Sequence, residues 1–198
     1  MINRTKFNVS ILGDFSVGKT CLVNALKGVE FNENQLSTIG IDDIIDEAMI
    51  ENKKYMFKIF DTAGEEKYKT VSTKTVQIAD GYFLVFSIVS RKSFDRINDW
   101  IKAIEERVNI NEKALYLIGN KIDLDGEKRE ISNEEAVNFS KLHNMKYFET
   151  SAKTGYNIKE AFQKIYLDIY NINKKISQNN SFNLNESKGS TNGSGKCC

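Results

Sequence analysis

Proline is absent from this 198-residue chain, although an average protein carries about 5%. Its turns must therefore rest on Gly, which reaches left-handed backbone because it has no Cβ, and on Asn and Asp, whose side chains hydrogen-bond the nearby backbone. Cysteine is scarce: Cys21 stands alone, and Cys197 and Cys198 are the last two residues. That spacing excludes a disulfide framework and suggests modification of the terminal pair. Net charge is nearly nil, with 28 Lys and Arg against 27 Asp and Glu, or +1. The electrostatic case for binding a nucleic-acid polymer is thereby removed, while small phosphorylated ligands stay open. Long apolar runs are missing too. The most apolar stretch, Gly81 to Val89, is interrupted by Ser87, whereas a bilayer-spanning helix needs about 20 residues. The opening Met-Ile-Asn-Arg-Thr-Lys has no apolar run of the secretory kind, so synthesis in the cytosol is expected. The length suits one domain with a real core, plus a tail.

What is present starts with Gly13 to Thr20, Gly-Asp-Phe-Ser-Val-Gly-Lys-Thr, which fills the phosphate-loop pattern G-x-x-x-x-G-K-[ST]. Before it, Phe7, Val9 and Ile11 alternate with polar residues, as in a buried strand; after it, Leu22, Val23, Ala25 and Leu26 recur at helical spacing. Strand, glycine loop and helix form the context that this motif requires. Successive N–H groups and a helix N-terminus supply partial positive charge to a polyphosphate. Lys19 is expected to reach the β- and γ-phosphates and the Thr20 hydroxyl to ligate Mg²⁺.

Downstream, Phe31 to Gly40 reads as a loop, and Ile41–Ile50 with Tyr55–Phe60 as a hairpin turning at Glu51-Asn52-Lys53. The hairpin ends in Asp61-Thr-Ala-Gly64, where an acidic residue at a strand end suits Mg²⁺ held through water. Glu65 to Ala79 reads as a loop and an irregular helix. Gly81–Val89 is a central strand covered on both faces. Phe94, Ile97, Ile101, Ile104 and Val108 give an amphipathic helix from about Ser93. Ala114–Gly119 is another buried strand running into Asn120-Lys-Ile-Asp123. Ser132-Asn-Glu-Glu135 is a capping box opening a helix to His143. Lys146–Thr150 is the last strand, followed by Ser151-Ala-Lys153, and a final helix begins near Asn157. This alternation predicts an α/β fold: a doubly wound, mostly parallel six-stranded sheet with helices on both faces and one antiparallel edge strand. Ligands of such sheets lie at the carboxyl ends of the strands, where every motif above falls. Residues 1–176 are expected to form the domain. Residues 177–198, rich in Ser, Asn, Gly and Lys, are expected to form a disordered tether.

Together these residues resemble the small GTPases of the Ras superfamily, most of all the Rab branch, over about Lys6 to Ile172 and again at Cys197-Cys198. The resemblance implies a GTP/GDP switch with bound Mg²⁺ and slow GTP hydrolysis, regulating vesicle traffic. Ser16, Val17, Gly18, Lys19, Thr20 and Cys21 would line the phosphates. Thr38 would join Thr20 and Asp61 at Mg²⁺ when a γ-phosphate is present, and the Gly64 N–H would meet that phosphate. Both switch loops would relax once it leaves. Asn120, Lys121 and Asp123 would choose the base, because an Asp carboxylate accepts from guanine N1–H and N2–H₂ together while adenine has no matching pair. Ser151, Ala152 and Lys153 would complete the base pocket, the Ala152 N–H facing guanine O6, with Phe31 stacking from the side.

The same resemblance makes Cys197 and Cys198 a double geranylgeranylation site and places the protein on the cytoplasmic face of an endomembrane, with a GDP-bound cytosolic pool. Its implied partners are an exchange factor, a GTPase-activating protein and effectors at the switch loops, plus a prenylation escort and a GDP-dissociation inhibitor; the chain is expected to be a monomer. Several positions depart from the Rab pattern. Asp43 and Phe60 replace an aromatic residue and a Trp, and Lys74-Thr-Val76 stands where Rabs often carry a Tyr-Tyr-Arg-like run. Phe15 replaces a small or polar residue beside the γ-phosphate. Glu65 replaces the Gln that orients the attacking water, so Lys19, Thr38, Gly64 and Glu65 form the expected catalytic set. Other readings of these motifs are a GTP-locked binding module, a Ras-family switch outside the Rab branch, and an ATP-dependent phosphotransferase, which Asn120 and Asp123 oppose.

Overall fold

The computed structural model describes residues 4–32, 41–62, 73–126 and 128–186. Thr38, Gly64, Glu65, Cys197 and Cys198 lie outside the described residues. Six strands form one sheet: β1 (Lys6–Gly13), β2 (Ile41–Ile50), β3 (Lys53–Thr62), β4 (Gly81–Ser87), β5 (Ala114–Asn120) and β6 (Lys146–Thr150). Their spatial order is β2-β3-β1-β4-β5-β6. Only β2 and β3 pair antiparallel; β1 lies parallel to both β3 and β4, and β5 to both β4 and β6. The expected sheet, with its single antiparallel edge strand, is the one observed.

Side-chain alternation divides the core in two. Phe7, Val9 and Ile11 of β1, Phe83 and Val85 of β4, and Tyr116 and Ile118 of β5 pack with α1 (Lys19–Leu26) and α6 (Ile158–Glu186). Their neighbours Leu12, Leu84, Phe86, Leu115 and Leu117 pack on the other face with α2 (Thr73–Ile78), α3 (Arg91–Asp95), α4 (Ile97–Glu105) and α5 (Asn133–Leu142). Every residue of β4 and β5 is buried. A strand covered by helices on both faces can be apolar without alternation, which is why these two read as continuous runs. On the α6 face the Phe57 and Tyr166 rings stack at 3.9 Å, and Phe162 meets Phe83 edge-on at 4.8 Å.

Some boundaries differ from the sequence reading. The hairpin turn has just two residues, Glu51 (φ 49°) and Asn52 (φ 60°), both left-handed as a type I′ turn demands. Strand β3 accordingly starts at Lys53. The Glu51 carboxylate accepts from Tyr170 Oη at 2.6 Å and Lys174 Nζ at 2.5 Å, which fixes the turn against α6. The helix expected from Ser93 starts earlier, at Arg91, because Ser90 is its N-cap and accepts from the Ser93 N–H. It also breaks at Arg96, which closes α3 and opens α4, while Phe94, Ile97, Ile101 and Ile104 stay buried across the break. Ser132 caps α5 as expected, accepting from the Glu135 N–H at 3.1 Å. Helix α6 continues to Glu186, beyond Ser177 where the tether was expected to begin. No Gly or Pro occurs between Ser177 and Glu186 to stop it. None of the helices among the described residues is long and apolar enough to cross a membrane.

Phe57, fully buried between sheet and α6, provides a test of this packing. Phe57→Ala should lower the unfolding free energy by about 3–5 kcal/mol in denaturant melts, the usual cost of emptying an aromatic core site.

Candidate functional site

The loop between β1 and α1 is shaped by two glycines that have no room for a side chain. Gly13 (φ 150°) would drive a Cβ into the carbonyl oxygen of Val85, and Gly18 (φ 97°) would drive one into the side-chain amide of Asn120. Ser16 between them is left-handed as well, at φ 61°. The N–H groups of Ser16, Val17 and Gly18 donate to no acceptor among the described residues. Lys19, 5% exposed, turns its ammonium back over the loop and donates to the Gly13 and Asp14 carbonyls, at 2.8 Å each. A ring of backbone donors with a buried ammonium beside it, at a helix N-terminus, is the chemistry of a polyphosphate cradle.

Asp61 reaches the same end of the sheet from β3, in register with Ile11 of β1, and is 3% exposed. The next residue, Thr62, donates its hydroxyl to the Ile11 carbonyl at 2.8 Å and so fixes the strand end beside the loop. Thr20 opens α1. A Thr hydroxyl and a carboxylate are hard oxygen donors that suit Mg²⁺, a cation that keeps several waters and shares phosphate oxygens. Cys21 lies one residue further along. Burial pushes its thiol pKa up, Lys121 draws it down, and Asp61 raises it. Both charged residues therefore act on the start of α1.

The third part comes from the ends of β5 and β6. Asn120, 1% exposed, donates Nδ2–H to the Val17 carbonyl at 2.8 Å. Its Oδ1 accepts from the Ala152 N–H at 3.1 Å and from Thr150 Oγ1 at 3.3 Å. One side chain thus joins the phosphate loop to the loop after β6. The Ala152 N–H, expected to face guanine O6, is directed to Asn120. Lys121 follows in the left-handed region, at φ 72°. Burial pulls its ammonium below the usual lysine pKa, with Cys21 and Asp123 opposing that shift. Asp123 is exposed and sits on a single 3₁₀ turn, Ile122–Leu124. Ser151, fully buried, donates its hydroxyl to Asp123 Oδ1 at 2.6 Å and accepts from the Thr154 N–H at 3.1 Å. On the rim, Lys153 Nζ lies 5.8 Å from the centre of the Phe31 ring, which is 40% exposed.

Of the expected site residues, the structure brings together Ser16, Val17, Gly18, Lys19, Thr20, Cys21 and Asp61 on one side, and Asn120, Lys121, Asp123, Ser151, Ala152, Lys153 and Phe31 on the other. Sequence reasoning missed what supports them. Arg129 donates to Asp125 at 2.7 Å and to Glu149 at 3.0 Å, tying the segment after Asp123 to the strand that ends just before Ser151. These bonds, Asp125 first, raise the guanidinium pKa. Burial alone would raise the Glu149 carboxyl, but hydrogen bonds from Arg129, Asn133 and Tyr147 outweigh it and hold the group below its usual value. No motif pattern marks Arg129 or Glu149. Thr150 was nearer to view, one residue before Ser151-Ala-Lys153.

Residues 8–171 match the Ras family. The chain is 40% identical over 163 residues to Ras-related protein Rab-13 of Canis lupus familiaris, covering 82% of this chain and 79% of that protein. It is 39% identical over 174 residues to Ras-related protein Rab-8 of Diplobatis ommata, covering 87% and 82%. To Ras-related protein Rab-8B of Homo sapiens it is 39% identical over 176 residues, covering 88% and 84%. Matched by that family over most of its length and by these relatives at about 40% identity, the chain belongs to the Ras family and is a Rab-type small GTPase, a GTP hydrolase of vesicle traffic that takes GTP or GDP with Mg²⁺.

Proposed function

We propose a residue-level account of how this GTPase holds its nucleotide and where it works. The observation that carries it is the Asn120 side chain, which joins the phosphate loop at Val17 to the base loop at Ala152. The N–H groups of Ser16, Val17 and Gly18, with the Lys19 ammonium, hold the phosphates. Thr20 and Asp61 hold Mg²⁺, joined by Thr38 in the GTP state. Asp123, kept in place by Ser151, reads guanine N1–H and N2–H₂. Lys121 lies over the ring, Phe31 and Lys153 close its rim, and the Ala152 N–H is shared between Asn120 and guanine O6. Hydrolysis transfers the γ-phosphoryl group of GTP to water.

Glu65 makes the intrinsic step slow. A Gln in its place accepts from the attacking water and donates to the transferring oxygens, whereas an ionised Glu only accepts and adds negative charge where it already accumulates. The switch is therefore biased toward GTP, with effectors, exchange factor and GTPase-activating protein meeting it through the two switch loops. Anchoring rests on Cys197 and Cys198, since two lipid chains meet the requirement for stable attachment that one chain does not. A prenylation escort and a GDP-dissociation inhibitor then move the protein between an endomembrane's cytoplasmic face and a cytosolic pool. Residues 1–176 carry nucleotide chemistry and 177–198 the connection to the membrane.

Base choice is checked by titrating the purified chain with GTP and ATP. GTP should be preferred by about 10⁴-fold, as in sites built around a substrate's hydrogen-bonding groups. Asp123→Ala should remove most of that preference while leaving ATP binding almost as weak as before. Glu65→Gln is expected to raise the single-turnover rate of GTP hydrolysis by up to about 10²-fold, the scale of one positioned donor; an unchanged or slower rate would remove the reason given for slow turnover. Fractionation of cells expressing the Cys197→Ser, Cys198→Ser double variant should find it in cytosol with GTP binding intact. Recovery of that variant on salt-washed membranes would contradict lipid anchoring at these residues.

A further inference from the structure

Asp14, the second residue of the phosphate loop, is only 5% exposed. Its Oδ2 accepts from Arg96 Nη1 at 3.0 Å, across 82 residues of sequence. Its Oδ1 is buried and has no hydrogen-bond partner among the described residues. A carboxylate is thus enclosed in the loop that must accept a polyphosphate, where low polarity strengthens repulsion between like charges. The backbone beside it is already committed, because the Asp14 carbonyl accepts from Lys19. Any movement that takes the Asp14 side chain toward water therefore also moves the residue that holds the Lys19 ammonium.

Arg96 comes from the break between α3 and α4, and its side chain is 24% exposed. Neither residue was assigned a role above. We propose that Arg96 is a positioning residue for the nucleotide: it neutralises the Asp14 carboxylate and holds it against the α3–α4 break, so that the loop presents only its N–H groups and Lys19 to the phosphates. Arginine suits this task because its guanidinium stays charged at any working pH and its fork fixes direction as well as charge. Removing one partner of a mostly buried pair leaves the other charge uncompensated, and this is costlier than removing both. The inference rests on the nucleotide reading of the loop given above.

The test uses the full chain with Mg²⁺, following release of a fluorescent GDP and competition by GMP, GDP and a non-hydrolysable GTP analogue. Arg96→Met should speed GDP release by about tenfold, below the full effect of a buried charge pair because Arg96 is partly exposed. The loss of affinity should grow from GMP to GDP to the GTP analogue, since it follows phosphate charge. Asp14→Asn, which keeps shape and removes charge, should leave release unchanged or slower. The Arg96→Met, Asp14→Asn double variant should return to within about threefold of wild type, a coupling that independent sites do not show. Equal losses for all three nucleotides, or no recovery in the double variant, would make Arg96 a packing residue and overturn the proposal. If Arg96→Met fails to fold, Asp14→Asn decides: weaker GDP binding in that variant overturns it. A wild-type chain that holds no guanine nucleotide would refute the nucleotide reading itself and this inference with it.

Discussion

The site depends on a single buried amide. Asn120 ends a strand that is covered on both faces, so its position is set by the core and not by the loops around it. From there it reaches the Val17 carbonyl in one direction and the Ala152 N–H in the other. An amide is suited to this because it carries donor and acceptor on one rigid plane, whereas a carboxylate offers no donor and a hydroxyl has less reach. The space beside it is so limited that Gly18 has no room for a Cβ. The glycine of the phosphate pattern and the asparagine of the base pattern therefore depend on each other: a side chain at the first would displace the second.

Around that contact, each loop is anchored at its base and open at its tip. Thr62 fixes the end of β3 to β1, Ser151 fixes Asp123, and Arg129 fixes the approach to both base segments. Phe15, Phe31 and Lys153 stand on the exposed side. This division is what a GTPase that takes and releases its nucleotide needs. The groups proposed to read the ligand are held by the fold, and Phe31 and Lys153, proposed to cover it, are exposed. Fixed donors cost little reorganisation when the ligand arrives.

Much of the fold was legible because four of the six strands ended in a motif with its own chemistry. Gly13 to Thr20, Asp61, Asn120 to Asp123 and Ser151 to Lys153 marked the carboxyl ends of β1, β3, β5 and β6, and strand ends in such sheets converge. The α3–α4 break was not legible. Hydrophobic spacing at Phe94, Ile97, Ile101 and Ile104 reports which face is buried, and that face is unchanged when the helix bends at Arg96. The extent of α6 was missed for a related reason: polar composition suggested a tether, but a helix ends at a breaker, and none occurs before Glu186. At the site, the motifs named the residues without naming their partners. Nothing in the sequence near Ala152 says that its N–H meets Asn120, and nothing near Asp14 says that Arg96 reaches it.

The bond from Asn120 to Val17 spans 103 residues of sequence, and the one from Ala152 to Asn120 spans 32 more. A growing chain leaves the ribosome from its N-terminus, so the phosphate loop emerges before the segments that complete it. Strand β1 must wait for β3 and then β4 on its two sides. The amide that braces its loop arrives with β5, and the acceptor side of that amide is engaged only when Thr150 and Ala152 follow. The braced loop therefore cannot reach its finished geometry until residue 152 has been made. By then all six described strands have been made, and the loop after the last of them completes the brace.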